Sequence, residues 1–176
     1  LEWLSTSRNT LVAANDTVST LQANATPNYD SWFAPVNRYL RIAQGVLVAA
    51  AATQGQITQA DTLLYGALIF WTLGYDTIYA IQDREDDAPI GVKSTARRFG
   101  DSIKPAVTVI YAPCIALAAV AGYIATGWYG AAATIPFALH LLQQAIRLNP
   151  TNGGLALHLF RANREAGILL FAGWAF

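Results

Sequence analysis

The chain is poor in charge, cysteine and histidine. Charged side chains make up 12% of its 176 residues and hydrophobic ones 54%, and that charged share is about half of what a soluble domain usually has. A single cysteine, Cys114, excludes an internal disulfide and a cysteine-based metal cluster, and His140 and His158 match no metal-ligand spacing. The formal net charge of zero predicts no bulk attraction to nucleic acid. This composition is typical of an integral membrane protein.

The chain also lacks methionine, and no basic start followed by a short apolar core and a cleavage site is found near Leu1. We therefore expect it to be part of a longer protein. Residues 1–37 are rich in Asn, Thr and Ser and show neither helical nor strand periodicity, which predicts a loop-rich or weakly helical leader. We take residues 1–40 as this leader and residues 41–176 as a membrane-embedded part.

What the chain has in quantity is apolar sequence. Five segments have membrane-spanning length or approach it, the first of them being short or tilted. They are residues 42–57, 62–82, 105–127, 128–146 and 162–176. Pro113 and Pro136 fall within spans, where neighbouring helices can satisfy the carbonyls that a proline frees. The predicted fold class is therefore all-α.

Charge is concentrated between the second and third of these segments. Residues 75–100, YDTIYAIQDREDDAPIGVKSTARRFG, carry five of the eleven acidic and four of the eleven basic side chains, whereas residues 126–130 carry no charge. Such alternation follows the positive-inside rule, so we expect the acidic cluster to face the cytoplasm, or the matrix of a mitochondrion. The basic residues are Arg84, Lys93, Arg97, Arg98 and Lys104 in the first loop and Arg147, Arg161 and Arg164 between the fourth and fifth segments.

The acidic cluster predicts a cation site if the second segment continues as a helix to Asp87. At about 100° per residue, Asp83 and Asp87 then lie within about 20° of Asp76, and Tyr79 lies about 60° away. Three carboxylates in one stripe would repel each other unless a cation lay among them, and oxygen ligands of this kind suit Mg²⁺. Magnesium in turn suits phosphate. Glu85 points to the opposite side.

Each of these groups also has an ordinary structural interpretation. A single Asp at a helix end is usually a cap or a solvated charge, although Asp76 lies within a span, where an unpaired carboxylate is costly. Lys93, Arg97 and Arg98 are either positive-inside residues or ligands of a diphosphate. The tyrosines of the same stretch are either interfacial aromatics or part of a binding cavity.

The 75–100 stretch closely resembles the second aspartate-rich motif of the UbiA superfamily of intramembrane prenyltransferases, in particular its 4-hydroxybenzoate polyprenyltransferase branch. The specific features are YDTxYAxxDxxDD, then GxKSTA and a closing FG, and FRANREAG at 160–167 resembles the family's final-helix signature. The resemblance covers about residues 60–176. It implies a nine-helix membrane bundle of which this chain holds about the last five helices.

The resemblance also implies a reaction. In the family, two aspartate-rich motifs bind a polyprenyl diphosphate through Mg²⁺, diphosphate leaves, and the allylic cation alkylates an aromatic ring, here that of 4-hydroxybenzoate in ubiquinone biosynthesis. Asp83 and Asp87 resemble the metal-coordinating pair, with Asp86 as a helper. The other residues implied are Asp76 and Tyr79 in the catalytic set and Lys93, Arg97, Arg98, Tyr75 and Asn163 in substrate binding. The expected location is the lipid bilayer of a bacterial or mitochondrial inner membrane.

One departure from the family keeps other interpretations open. The family's first motif, N-D-x-x-D-x-x-x-D, is absent, because the Asn15-Asp16 pair is followed by Ser19 where the next Asp should stand. An inactive remnant or truncated copy is therefore an alternative. A membrane phosphotransferase would also use DxxxD, but its D-G-x-x-A-R segment is missing. A transporter with Asp76 as a functional intramembrane carboxylate is the third alternative.

Overall fold

The structure is a computed structural model that describes residue 12 and residues 30–82 and 99–175. All regular structure in these ranges is helical, which confirms the all-α class for the described part of the chain. A 3₁₀ turn, Gly100–Ser102, precedes the third helix. The helices are α1 (Asp30–Gln54), α2 (Gln59–Tyr79), α3 (Ile103–Thr126), α4 (Trp128–Ala133), α5 (Ile135–Arg147), α6 (Gly153–Arg161) and α7 (Asn163–Ala175).

Helix α2 lies at the centre of the packing, against α1, α3 and α6, while α3 packs on α4 and α5, and α7 on α4 and α5. Small residues allow the closest contacts. A Cβ added at Gly122 or Gly130 would overlap the backbone of the other glycine, so α3 and α4 touch through their main chains. The core between the helices is apolar and includes Ile78, Val107 and Leu141, all fully buried.

The two ends of α2 are defined by different hydrogen bonds. Its start is a capping box, in which Thr58 Oγ1 accepts from the Asp61 amide and Asp61 Oδ2 accepts from the Thr58 amide at 2.8 Å. Its end is at Tyr79, after which Ile81 N donates to Ile78 O and Gln82 N donates to Tyr79 O at 2.9 Å, closing a tight turn.

This end corrects one expectation. The predicted continuation of the helix to Asp87 is wrong, because the residues after Tyr79 form a turn rather than another helical turn. Because α2 ends at Tyr79, helical spacing does not place Asp76, Asp83 and Asp87 in one stripe. Asp83 and Asp87 themselves lie outside the described residues.

The other helix boundaries differ from the predicted segments in three places. Helix α1 already begins at Asp30, inside the predicted leader, because burial of Tyr39 and Ala43 extends the packed helix toward its polar start. The fourth segment is two helices separated at Thr134, and Pro136 lies in the first turn of α5, where a proline breaks no hydrogen bond. The last predicted segment, residues 162–176, corresponds to α7, but a further helix that was not predicted, α6, precedes it.

Membrane-spanning character is clear for one element. Among the described residues, the helix over Gly100–Thr126 is long and apolar enough to cross a membrane. The other predicted spans do not reach that standard, so the count of five remains a prediction, as does the nine-helix bundle.

Candidate functional site

One face of α2 borders a cavity of about 440 Å³. Leu68, Trp71, Thr72 and Tyr75 are spaced by three, four and seven positions, so they share this face. Helix α1 and the junction of α6 and α7 close two other sides. Their lining residues are Ile42 and Ala43 from α1 and Phe160, Arg161, Asn163 and Arg164 from the junction.

The junction is a helix break that one side chain stabilises. Asn163 Nδ2 donates to the carbonyl oxygens of Leu159 at 3.1 Å and Phe160 at 3.2 Å, and Asn163 Oδ1 accepts from Trp71 Nε1 at 2.8 Å. From α5, His140 Nε2 lies 3.1 Å from the Ala162 carbonyl oxygen. The break is therefore held in a fixed geometry relative to α2 and α5.

An aromatic cluster forms the wall between α2 and the break. The Phe160 ring lies 5.7 Å from that of Tyr75 and 4.9 Å from that of Tyr79. Trp71 packs edge-on against Tyr75 and, on its other side, against the buried Phe137. Such arrangements are favourable for the ring quadrupoles and leave few alternative rotamers. The cavity thus has a rigid, largely apolar wall.

Asp76 is half-buried behind this wall. The Tyr39 hydroxyl of α1 donates to Asp76 Oδ2 at 2.7 Å. A hydrogen bond to a carboxylate partly compensates the cost of removing it from water. Asp76 therefore joins α1 to α2 at the level of Tyr75, one residue from the cavity lining.

The structure brings together some of the predicted site residues. Tyr75 and Asn163 line the cavity, whereas Asp76 and Tyr79 lie beside it. Within residues 30–82 and 99–175, no group of three or more His, Cys, Asp or Glu side chains could hold a metal ion. The remaining predicted residues, Asp83, Asp86, Asp87, Lys93, Arg97 and Arg98, lie outside the described residues.

Sequence reasoning missed eight of the ten lining residues, and four of the eight bear on function: Trp71, Phe160, Arg161 and Arg164. Trp71 could have been found from its three- and four-residue spacing to Leu68 and Tyr75. Phe160, Arg161 and Arg164 belong to the FRANREAG stretch, and the two arginines were expected in a loop between spans. That expectation is wrong, because Arg161 ends α6 and Arg164 lies in the first turn of α7.

Comparison with known proteins supplies the family. The model of the UbiA prenyltransferase family matches residues 40–171, most of the chain and all of the cavity. The chain belongs to the UbiA prenyltransferase family. The break at Ala162 and the aromatic wall are thus features of a UbiA family member.

Curated relatives agree with this assignment. The mitochondrial 4-hydroxybenzoate polyprenyltransferases of Drosophila melanogaster and Arabidopsis thaliana are 39% and 38% identical, over 73% and 76% of this chain and 33% of each relative. The 4-hydroxybenzoate octaprenyltransferase of Burkholderia vietnamiensis is 32% identical over 95% of this chain and 59% of its own length. The chain thus spans a third to three fifths of these relatives. No solved structure gives a significant match.

Proposed function

We propose that the full-length protein containing this chain transfers a polyprenyl group from polyprenyl diphosphate to the ring of 4-hydroxybenzoate, a step of ubiquinone biosynthesis. The observation that carries the proposal is the similarity to relatives named as 4-hydroxybenzoate polyprenyltransferases and octaprenyltransferases. The aromatic cavity beside the end of α2 supports it, because a carbocation reaction needs a site that excludes water.

The charged stretch after α2 is proposed to hold the diphosphate end of the donor. Asp83 and Asp87, helped by Asp86, would hold Mg²⁺ there, and the ion would offset the negative charge of the leaving diphosphate. The basic side chains proposed to contact the remaining diphosphate oxygens are Lys93, Arg97 and Arg98. Tyr79, the last residue of α2 and part of the aromatic wall, lies four positions before Asp83 in the sequence.

The described residues are proposed to bind and shield the reacting groups. Trp71, Tyr75 and Phe160 present ring faces and edges, and an aromatic face attracts a cation. Tyr79 extends this wall toward the diphosphate end. Asp76, held by Tyr39, is proposed to fix α1 against α2 and keep the cavity in shape.

The same proposal places the protein in a lipid bilayer. Helix Gly100–Thr126 is apolar enough to span it, and the relatives named above include mitochondrial and bacterial proteins. Bacterial and mitochondrial inner membranes both fit.

The test is an assay of the full-length protein expressed in a host that lacks its own 4-hydroxybenzoate prenyltransferase. Membranes receive Mg²⁺, a set of polyprenyl diphosphates and labelled 4-hydroxybenzoate, with Asp83→Asn as the control. We expect a labelled lipid product from the wild-type protein alone. No product from a well-expressed, membrane-inserted protein would contradict the proposal and favour the inactive copy or the transporter.

A further inference from the structure

Two arginines line the cavity and have no role in the function proposed above. Arg161 is the last residue of α6 and Arg164 the second residue of α7, so they flank the break at Ala162. Both residues are exposed, and both belong to the cavity lining. Within the described part of the chain, neither guanidinium group makes a hydrogen bond or an ion pair. The cavity therefore contains positive charge that this part of the protein does not neutralise.

Helix electrostatics explain only one of the two positions. Arg161 lies in the last turn of α6, where the helix dipole favours a cation. Arg164 lies in the first turn of α7, where the dipole disfavours a cation. Arg164 thus stands at an unfavourable place for helix stability, and both side chains add to the positive potential of the α7 start.

The break fixes where these charges lie relative to the aromatic wall. Asn163, between the two arginines, bonds back to Leu159 and Phe160 and across to Trp71. Phe160, on the other side of the pair, packs on Tyr75. The guanidinium groups are therefore attached to a backbone that is rigidly connected to the rings of the cavity.

We propose that Arg161 and Arg164 form the subsite that binds the carboxylate of the aromatic acceptor. This inference rests on the proposed function. A guanidinium group suits a carboxylate because it can donate two parallel hydrogen bonds, and the adjacent rings of Tyr75 and Phe160 suit a planar aromatic body. In 4-hydroxybenzoate the hydroxyl is opposite the carboxylate, so binding at the carboxylate directs the phenol end, with the carbon beside it that is alkylated, into the cavity.

The experiment compares Arg161→Gln, Arg164→Gln and the double variant in the full-length protein with Arg147→Gln. Arg147 is a matched control, because it is an exposed arginine in the last turn of α5 and does not line the cavity. The measurements are KM for 4-hydroxybenzoate, KM for the polyprenyl diphosphate, and the inhibition constant of neutral 4-hydroxybenzamide. Arg164→Lys is added to test whether charge alone restores binding.

We expect each glutamine variant to raise KM for 4-hydroxybenzoate roughly tenfold, the double variant roughly 100-fold, and kcat to change little. The KM for polyprenyl diphosphate and the inhibition constant of 4-hydroxybenzamide should stay within about twofold of wild type, as should all three constants of Arg147→Gln. Arg164→Lys should recover part of the lost affinity for 4-hydroxybenzoate. A rise in donor KM instead would assign the pair to diphosphate and overturn the proposal. Equal losses for the acid and the amide, or no loss, would also overturn it.

Failure of the proposed function can be told apart from failure of this subsite. If the wild-type protein transfers nothing to 4-hydroxybenzoate, the proposed function fails regardless of any variant. Direct binding of 4-hydroxybenzoate and 4-hydroxybenzamide to the purified wild-type and double-variant proteins then tests the subsite. Preference for the acid in the wild type, lost in the double variant, supports it, and no preference overturns it.

Discussion

Trp71 and Asn163 are joined by a hydrogen bond of 2.8 Å from the indole Nε1 to the amide Oδ1, although 92 positions separate them in the chain. The bond connects the cavity face of α2 to the helix break. Gly167 of α7 also lies close to this ring. A Cβ at this position would come 3.2 Å from Trp71 Cη2, so the glycine allows the indole to pack closely against α7. Two residues of the FRANREAG stretch, Asn163 and Gly167, thus position one indole ring.

The first prediction concerns this bond. Asn163 is 7% exposed, and its replacement by alanine leaves the Trp71 indole N–H without its partner and removes the side-chain bonds to the Leu159 and Phe160 carbonyls. We expect Asn163→Ala to lower the free energy of unfolding by about 1–3 kcal/mol. Unfolding in detergent is the measurement, with exposed Gln143→Ala as the control.

A double-mutant cycle with Trp71→Phe separates the indole bond from the carbonyl bonds. Because both single variants remove the same indole bond, the double variant should be less destabilised than the sum of the two. Strict additivity would show that the bond contributes nothing. If Asn163 instead contacts substrate directly, the variant would raise a KM at unchanged stability.

The second prediction concerns the contact of α2 with α3. A Cβ at Gly74 would lie 2.7 Å from Tyr111 Cδ1, and the buried Tyr111 ring cannot move freely because its hydroxyl donates to Gln144 Oε1 at 2.9 Å. We expect Gly74→Ala to lower the free energy of unfolding by about 1–3 kcal/mol. The matched control is Gly45→Ala in α1, where a Cβ meets nothing within 4 Å.

Unfolding in detergent is again the measurement, and it is applied to both glycine variants. Gly45→Ala should leave stability unchanged or raise it by up to about 1 kcal/mol, because alanine favours a helix. If Gly74→Ala unfolds with the same free energy as the wild type, α2 and α3 can move apart near Gly74 at little cost.

The sequence predicted the helical class and the approximate helices, because long apolar runs leave few alternatives to a helix. The helix ends were harder. The end of α2 at Tyr79 depends on tight turn hydrogen bonds in Ala80–Gln82, a stretch whose composition is equally compatible with a helix. The last helix was predicted to begin at Ala162 and begins at Asn163, whereas α6 was missed because a loop was expected between the fourth and fifth segments. The boundary between α6 and α7 is held by Asn163, whose bond to Trp71 cannot be predicted from sequence spacing.

Only part of the candidate site was predictable from the sequence. Tyr75 was found because it belongs to a recognisable motif, and it does line the cavity. Arg161 and Arg164 were assigned to a loop because charge between two apolar runs normally indicates one. Only the three-dimensional structure shows that Arg161 and Arg164 lie within helices and line the cavity.

The third prediction concerns the metal. In the full-length protein, Asp83→Ala or Asp87→Ala should lower kcat on the order of a thousandfold or more, since removal of a metal ligand commonly costs several kcal/mol of transition-state stabilisation. Chelation of divalent cations should have the same effect, and added Mg²⁺ should reverse it. Glu85→Ala is the control and should be mild, because Glu85 is not one of the aspartates of the YDTxYAxxDxxDD pattern. Equal losses at Glu85 and Asp83 would show that a different carboxylate set holds the cation.

The last prediction concerns membrane topology. The structure shows which helix ends lie at the same end of the bundle. Lys104 Nζ, at the start of α3, donates to the Ile146 carbonyl oxygen at 2.6 Å, so the start of α3 and the end of α5 lie at the same end of the helix bundle. At that end, a Cβ on Gly153 would also lie 3.4 Å from Gln82 Cα. The connection after Thr126 lies at the other end, because α3 runs between them.

If α3 spans the bilayer, these two ends are on opposite sides of the membrane, and the end with Lys104 and Arg147 faces inward by the positive-inside rule. Cysteines are placed singly at Ala88 and at Tyr129, which is 87% exposed, in a Cys114→Ala background that lacks the native buried thiol. An impermeant thiol reagent added to intact cells or right-side-out vesicles should label the Tyr129→Cys protein at once, and the Ala88→Cys protein only after the membrane is opened. Labelling of both from one side would mean that α3 does not cross the bilayer.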